Sequence, residues 1–239
     1  MKQLFFRFLL IILVAALTAC GDTPKDYAGR AEIQQDLDRL FKAKENGDEA
    51  TMLEVSQRLL SSKQTIGAAR IMPLLYRAEV LARHGKTEEV NALFDKQFAF
   101  VMKSSGSCSQ SAFISMKAEV WQEAGRLDLA VTDYNSAIEK CPQMDNAYSK
   151  LSLLHSSGSD PKYIDVEKAL ALAQKAVDVN GASKALNALA TANAAAGQYA
   201  LAAENMAKAI AAAEKERQSP IQIESFRNRL SSYQNKAGK

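Results

Sequence analysis

Few side chains in this sequence are equipped for covalent chemistry, and the three cysteines, Cys20, Cys108 and Cys141, stand out among them. Cys20 has the most telling surroundings. Met1–Lys2 and Arg7 place positive charge at the extreme N-terminus, Phe8 to Val14 is an unbroken apolar run, and Leu17-Thr18-Ala19 leads directly into Cys20. A charged segment, a short apolar segment and small residues at a cut point describe an export signal rather than a fold element. The apolar stretch is also shorter than the roughly 20 residues that a bilayer-spanning helix needs.

Leu17-Thr18-Ala19-Cys20 resembles the lipobox of bacterial lipoproteins, a resemblance carried by the first twenty residues. It implies that the chain is cut before Cys20 and that the Cys20 thiol is diacylated, with no other cofactor. Each buried acyl CH₂ contributes about 0.8 kcal/mol, so two or three long chains would hold the protein on a membrane. Gly21 follows Cys20, with Asp22 one place further on. In lipoproteins of this kind from Gram-negative bacteria, that order implies the periplasmic face of the outer membrane. A lipoprotein of a Gram-positive plasma membrane is the alternative.

Loss of residues 1–19 leaves 220 residues, in which 28 basic side chains face 27 acidic ones once Lys2 and Arg7 are gone. No polybasic block remains to attract nucleic acid or anionic lipid, so neither is expected as a partner. Other chemistry is thin. GxSxG, GxxxxGK[ST], HExxH and CxxC are all missing, and His84 and His155 lie far apart. No catalytic residue and no metal site is expected, and the chain reads as a non-enzyme. Carboxylates such as Asp38 and the pair Glu88-Glu89 fall where helices expose them to solvent.

Any site must therefore be built by the scaffold. Gly21–Tyr27 reads as a short polar linker; beyond it apolar residues recur three and four apart, the helical signature. Breakers stand at Gly47, Gly85, Gly125, Gly158 and Gly197, with gaps of 38, 40, 33 and 39 residues. A near-fixed period in this range denotes a repeat array. The clearest unit contains Ala118, Trp121, Gly125, Leu127, Ala130, Tyr134, Ala137 and Pro142. Small residues there let helices approach, aromatics fill the space between them, the glycine turns the chain and the proline stops the second helix.

That pattern resembles the tetratricopeptide repeat. Around Gly197 the same frame holds Leu186, Ala190, Tyr199, Ala202, Met206 and Ala209. The expected fold is all-α: a right-handed superhelical solenoid of about five helical hairpins plus a C-terminal capping helix. The expected organisation is a signal peptide over 1–19, a lipidated Cys and linker over 20–27, and a weak first repeat over 28–65. Repeats then follow over 66–104, 109–142, 145–180 and 183–213, the 145–180 unit carrying a turn about five residues longer, and the cap spans 219–235. Ser219-Pro220-Ile221-Gln222 opens that cap as a capping box, and Ile223, Phe226, Leu230 and Tyr233 give it one apolar stripe.

In this frame Cys108 lies just before one hairpin and Cys141 at its end, so antiparallel helices bring them to the same end. An oxidising compartment would join them, closing a loop worth about 3.7 kcal/mol on chain-entropy grounds; two idle thiols are the alternative. The segment Ser104–Ser111 reads as a flexible loop.

In tetratricopeptide proteins the first helix of each hairpin lines a concave groove, mainly through its second, fifth, ninth and twelfth positions. The resemblance places Glu79, Ala112, Ser115, Glu119, Gln122, Asn146, Ser149 and Asn187 there, with Phe41 the only aromatic among the equivalent positions. The implied function is an adaptor that binds an envelope protein or peptide segment in this groove. A periplasmic small-ligand or glycan-binding lipoprotein is the alternative.

Overall fold

The computed structural model describes residues 24–101 and 107–238. The expected export signal, Cys20 and the start of the expected linker lie outside the described residues. Among those described there are eleven α-helices and no strand. They are α1 (Pro24–Asn46), α2 (Glu49–Ser61), α3 (Ile71–Arg83), α4 (Thr87–Val101), α5 (Ser107–Glu123), α6 (Leu127–Lys140), α7 (Asp145–Ser157), α8 (Val166–Val179), α9 (Ser183–Ala195), α10 (Tyr199–Lys215) and α11 (Pro220–Ala237). Two short 3₁₀ turns, Gly67–Arg70 and Pro161–Tyr163, interrupt the series.

Two boundaries differ from the sequence reading. α1 begins at Pro24, inside the stretch expected as linker, because proline suits the first turn of a helix. α5 begins at Ser107, so Cys108 lies in its first turn rather than before it, and the second half of Ser104–Ser111 is helical rather than a flexible loop.

The helices form two compact units, 24–101 with Val120–Arg126, and 107–119 with 127–238. In the first unit, Leu37, Leu40 and Ala43 of α1 meet Met52, Val55 and Leu59 of α2 and Tyr76 and Val80 of α3. In the second, alanine does much of the packing. Ala169 and Ala173 of α8 lie against Ala188 and Ala192 of α9, all fully buried, and small side chains of this kind let backbones approach closely. Phe226, 2% exposed, drives α11 onto Met206, Ala209 and Ala213 of α10. Burying such a ring contributes about 2–3 kcal/mol.

The turn glycines are of two kinds. Gly47, Gly85, Gly125 and Gly197 have φ between 69° and 75°, a left-handed conformation that side chains with a Cβ resist. Gly158 does not share it. A Cβ there would lie 2.4 Å from the Leu154 carbonyl oxygen, so close approach accounts for the missing side chain. After α10 the left-handed position is taken by Arg217, at φ 55°.

Helix starts follow the polar residues available. Asp48, Asp165 and Ser219 accept from the amides of Thr51, Lys168 and Gln222. α9 has Ala182 at this place and borrows its cap from afar: Glu216 accepts from Ser183 N–H at 2.8 Å and from Ser183 Oγ–H at 2.6 Å.

Candidate functional site

Six of the eight residues that the repeat frame assigns to partner contact lie in the second unit. Ala112, Ser115 and Glu119 are on α5, Asn146 and Ser149 on α7, and Asn187 on α9. Glu79 on α3 and Gln122 in the last turn of α5 belong to the first.

Ala112, Glu119 and Asn146 are half-buried and present side chains to solvent. Glu119 holds Lys150 of α7 at 3.0 Å, linking successive first helices by an ion pair. Both side chains still reach solvent, so the pair stabilises by at most about 1 kcal/mol. Ser115 and Ser149 are the fifth residues of their helices in the repeat frame, 1% and 2% exposed, and neither hydroxyl has a hydrogen-bond partner among the described residues. Their burial closes the floor of this face rather than opening it. Asn187, the equivalent residue of α9, is 8% exposed and already engaged: its Oδ1 accepts from Nη1 of Arg229 at 3.1 Å.

Arg229 is the contact that sequence reasoning missed. The apolar stripe seats the cap helix, and nothing in the spacing Ile223, Phe226, Leu230, Tyr233 says which repeat helix an arginine beside the stripe will touch.

The first unit presents a different chemistry. Glu79 pairs with Lys44 of α1 and lies 3.6 Å from Arg83. Lys44 also stands 5.5 Å from the centre of the Tyr76 ring, and Phe41 meets that ring edge-on with centroids 6.0 Å apart. Burial, with the charges of Glu79 and Glu45 adding to it, pushes the Tyr76 hydroxyl up to about 12, so the phenol stays neutral. The aromatic residue expected to face a ligand is thus packed against the core: Tyr76 is 8% exposed and Phe41 half-buried. The cluster is not an open stacking platform for a sugar.

His84 pairs with Glu49 at 2.6 Å on the surface, and His155 is buried with Nδ1 on the Tyr163 carbonyl at 2.7 Å. Among the described residues no three His, Cys, Asp or Glu side chains are placed to hold a metal ion, and no helix is long and apolar enough to cross a membrane. Cys108 and Cys141 are joined as a disulfide with Cα atoms 5.0 Å apart, tying the first turn of α5 to the end of α6. Ser111 Oγ, donating to the Ala137 carbonyl, reinforces the same junction.

Comparison with solved structures decides the architecture. A thermophilic TPR protein of Thermus thermophilus superposes with a TM-score of 0.52 at 16% identity, covering 84% of this chain and 98% of that one. The fold is that of tetratricopeptide-repeat proteins. BtubC (BKLC) of P. vanneervenii superposes with a TM-score of 0.55 at 14% identity, covering 80% of this chain and 82% of that one. No protein-family model and no curated protein sequence matches the chain. At these identities the likeness is one of fold, and function must be argued from the residues.

Proposed function

We propose that this protein is a non-enzymatic adaptor, held on the periplasmic face of the outer membrane by lipid on Cys20, which docks a segment of another envelope protein. The carrying observation is the tetratricopeptide fold, with half-buried polar side chains set on successive first helices of one unit. Glu119 and Asn146 offer a charged and a neutral hydrogen-bonding group on adjacent helices, between closed floor positions at Ser115 and Ser149. An extended peptide or a partner helix, both of which bring polar groups at regular spacing, is suited to such a face. The address rests on the sequence Leu17-Thr18-Ala19-Cys20, and a disulfide is compatible with an oxidising compartment.

The test is crosslinking in cells with the intact protein, compared with a Glu119→Ala/Gln122→Ala variant. The expected result is a discrete envelope protein captured by the native chain and lost from the variant. Capture that ignores both substitutions would place the contact elsewhere. Cys20→Ser should leave the protein in the soluble fraction; continued membrane association with the lipid absent by mass spectrometry would remove the anchor from the reading.

A further inference from the structure

Asparagine stands directly before glycine twice in this chain, at Asn46-Gly47 and at Asn180-Gly181, and all four residues are exposed. The Cγ of an asparagine is an electrophile, and the main-chain nitrogen of the next residue is its nearest nucleophile. Glycine leaves that nitrogen unshielded and lets the peptide plane turn, since it has no Cβ. By sequence the two pairs are chemically alike. The fold separates them.

Asn46 is the last residue of α1. Gly47 N–H donates to the Lys44 carbonyl at 3.3 Å, and its carbonyl accepts from Glu49 N–H at 3.0 Å. Asp48 N–H donates to the Ala43 carbonyl at 2.8 Å, and Gly47 itself sits at φ 69°. The nitrogen that would attack is engaged, and turning its peptide plane would undo the turn between α1 and α2.

Asn180 follows α8 in extended backbone, at φ −157° and ψ 110°. Its N–H donates to the Ala176 carbonyl at 3.0 Å, and its carbonyl accepts from Ala182 N–H at 2.7 Å. Neither Gly181 N–H nor the Asn180 side chain has a hydrogen-bond partner among the described residues. A Cβ on Gly181 would meet nothing within 4 Å, so the segment lies in open space. Turning the 180–181 peptide plane breaks only the bond to Ala182, and φ at the glycine can offset the change in ψ at Asn180.

We infer that Asn180 is a site of spontaneous deamidation in the folded protein, and that Asn46 is protected from it. Gly181 N gives its proton to water or hydroxide and bonds to Asn180 Cγ. The Cγ–Nδ2 bond breaks, ammonia leaves and a cyclic imide remains. Water then opens the ring. Addition at Cγ leaves aspartate, whereas addition at the Asn180 main-chain carbonyl carbon leaves an isoaspartyl link running through Cβ and Cγ. In sum, one amide and one water become one carboxylic acid and one ammonia, with nothing oxidised or reduced.

Either product places a carboxylate shortly before Ser183, whose N–H and Oγ–H are held by Glu216. The isoaspartyl product also lengthens the connection by a methylene and takes the Asn180 carbonyl away from Ala182 N–H. The reaction thus remodels the joint between the fourth and fifth hairpins. It does not depend on the adaptor reading.

The experiment incubates the purified full chain at mildly alkaline pH, folded and in urea, and quantifies both asparagines over time by peptide mass spectrometry. Digestion at acidic pH and a zero-time sample exclude reaction during handling, and electron-transfer fragmentation separates aspartyl from isoaspartyl products. In the folded chain Asn180 should convert about five- to tenfold faster than Asn46, since the Asn46 peptide must first release its nucleophile from a hydrogen bond. In urea the two rates should converge. Gly181→Ala should suppress conversion at position 180 with the circular dichroism spectrum unchanged, because a Cβ hinders both the attack and the turning of the plane. Equal rates for Asn46 and Asn180 in the folded chain would overturn the inference. So would a folded Asn180 that stays intact while the urea-unfolded chain reacts, or a Gly181→Ala chain that converts as fast as the native one.

Discussion

The Nδ1–H of His155 donates to the main-chain carbonyl of Tyr163 at 2.7 Å, while the His155 carbonyl accepts from Asp165 N–H at 2.9 Å. One residue near the end of α7 thereby holds the exit of the 3₁₀ turn Pro161–Tyr163. A carbonyl oxygen only accepts, so Nδ1 carries a proton; Nε2 is buried without a partner among the described residues.

His155→Ala should destabilise the second unit by about 2 kcal/mol, through the lost bond and the cavity left behind. Amide exchange at Ile164 and Asp165 should accelerate more than exchange in α9. Unchanged exchange at those two amides would mean that the turn holds itself.

Replacing Cys108 and Cys141 by serine should lower stability by up to about 3.7 kcal/mol, a fall in Tm on the order of 10 °C, with helix content retained. Reduction of the native chain should reproduce it. Alkylation of both Cys108 and Cys141 in the native chain before any reductant is added would show that no bridge forms.

Arg70 is 5% exposed and donates to the carbonyls of Leu60, Ser62 and Thr65 and to Gln97 Oε1. Arg70→Met would leave those buried acceptors without their donor and should cost about 3 kcal/mol or more in urea unfolding. Arg58→Met removes an exposed pair with Asp36 and should cost no more than about 1 kcal/mol. Equal losses would mean that the connection from α2 to α3 does not depend on the guanidinium.

Burial pushes the Glu216 carboxyl up, but the hydroxyl and amide of Ser183, with Gln218 and the charge of Lys184, outweigh it and hold the group below its ordinary value of 4.5. A carboxylate lowered in the folded state contributes stability above its unfolded pKa, and that contribution is lost as pH falls through the folded one. Glu216→Gln should therefore be less stable than the native chain at neutral pH, with the gap narrowing as pH falls below 4.5. A gap independent of pH, measured by urea midpoints, would show that the cap acts through shape alone.

Arg217→Gly should stabilise the second unit by about 0.5–1 kcal/mol, since glycine adopts a φ of 55° without the strain that a Cβ brings. No gain in midpoint would mean that the arginine side chain offsets its own strain.

The hairpins were legible because their determinants are local. Apolar spacing sets which face of each helix is buried, and Gly125 turns the chain wherever it stands. Gly158 shares their spacing but not their φ, and close approach to the Leu154 carbonyl accounts for it instead. Phe41 shows a different limit. Its position in the repeat frame pointed to a groove, yet Tyr76 stands beside it and takes it into the core.

By itself the sequence determined the all-α repeat, the capping box at Ser219 and the residues on each first helix, since all depend on periodicity and nearest-neighbour chemistry. Only the tertiary structure decided that Glu216 caps α9, that Arg70 feeds the carbonyls around α2, and that Arg229 rather than Asn187 meets solvent on the last repeat. Those contacts join residues five to forty-two positions apart. They are made when docking of whole helices brings their side chains within hydrogen-bond range, and no short-range pattern encodes that distance.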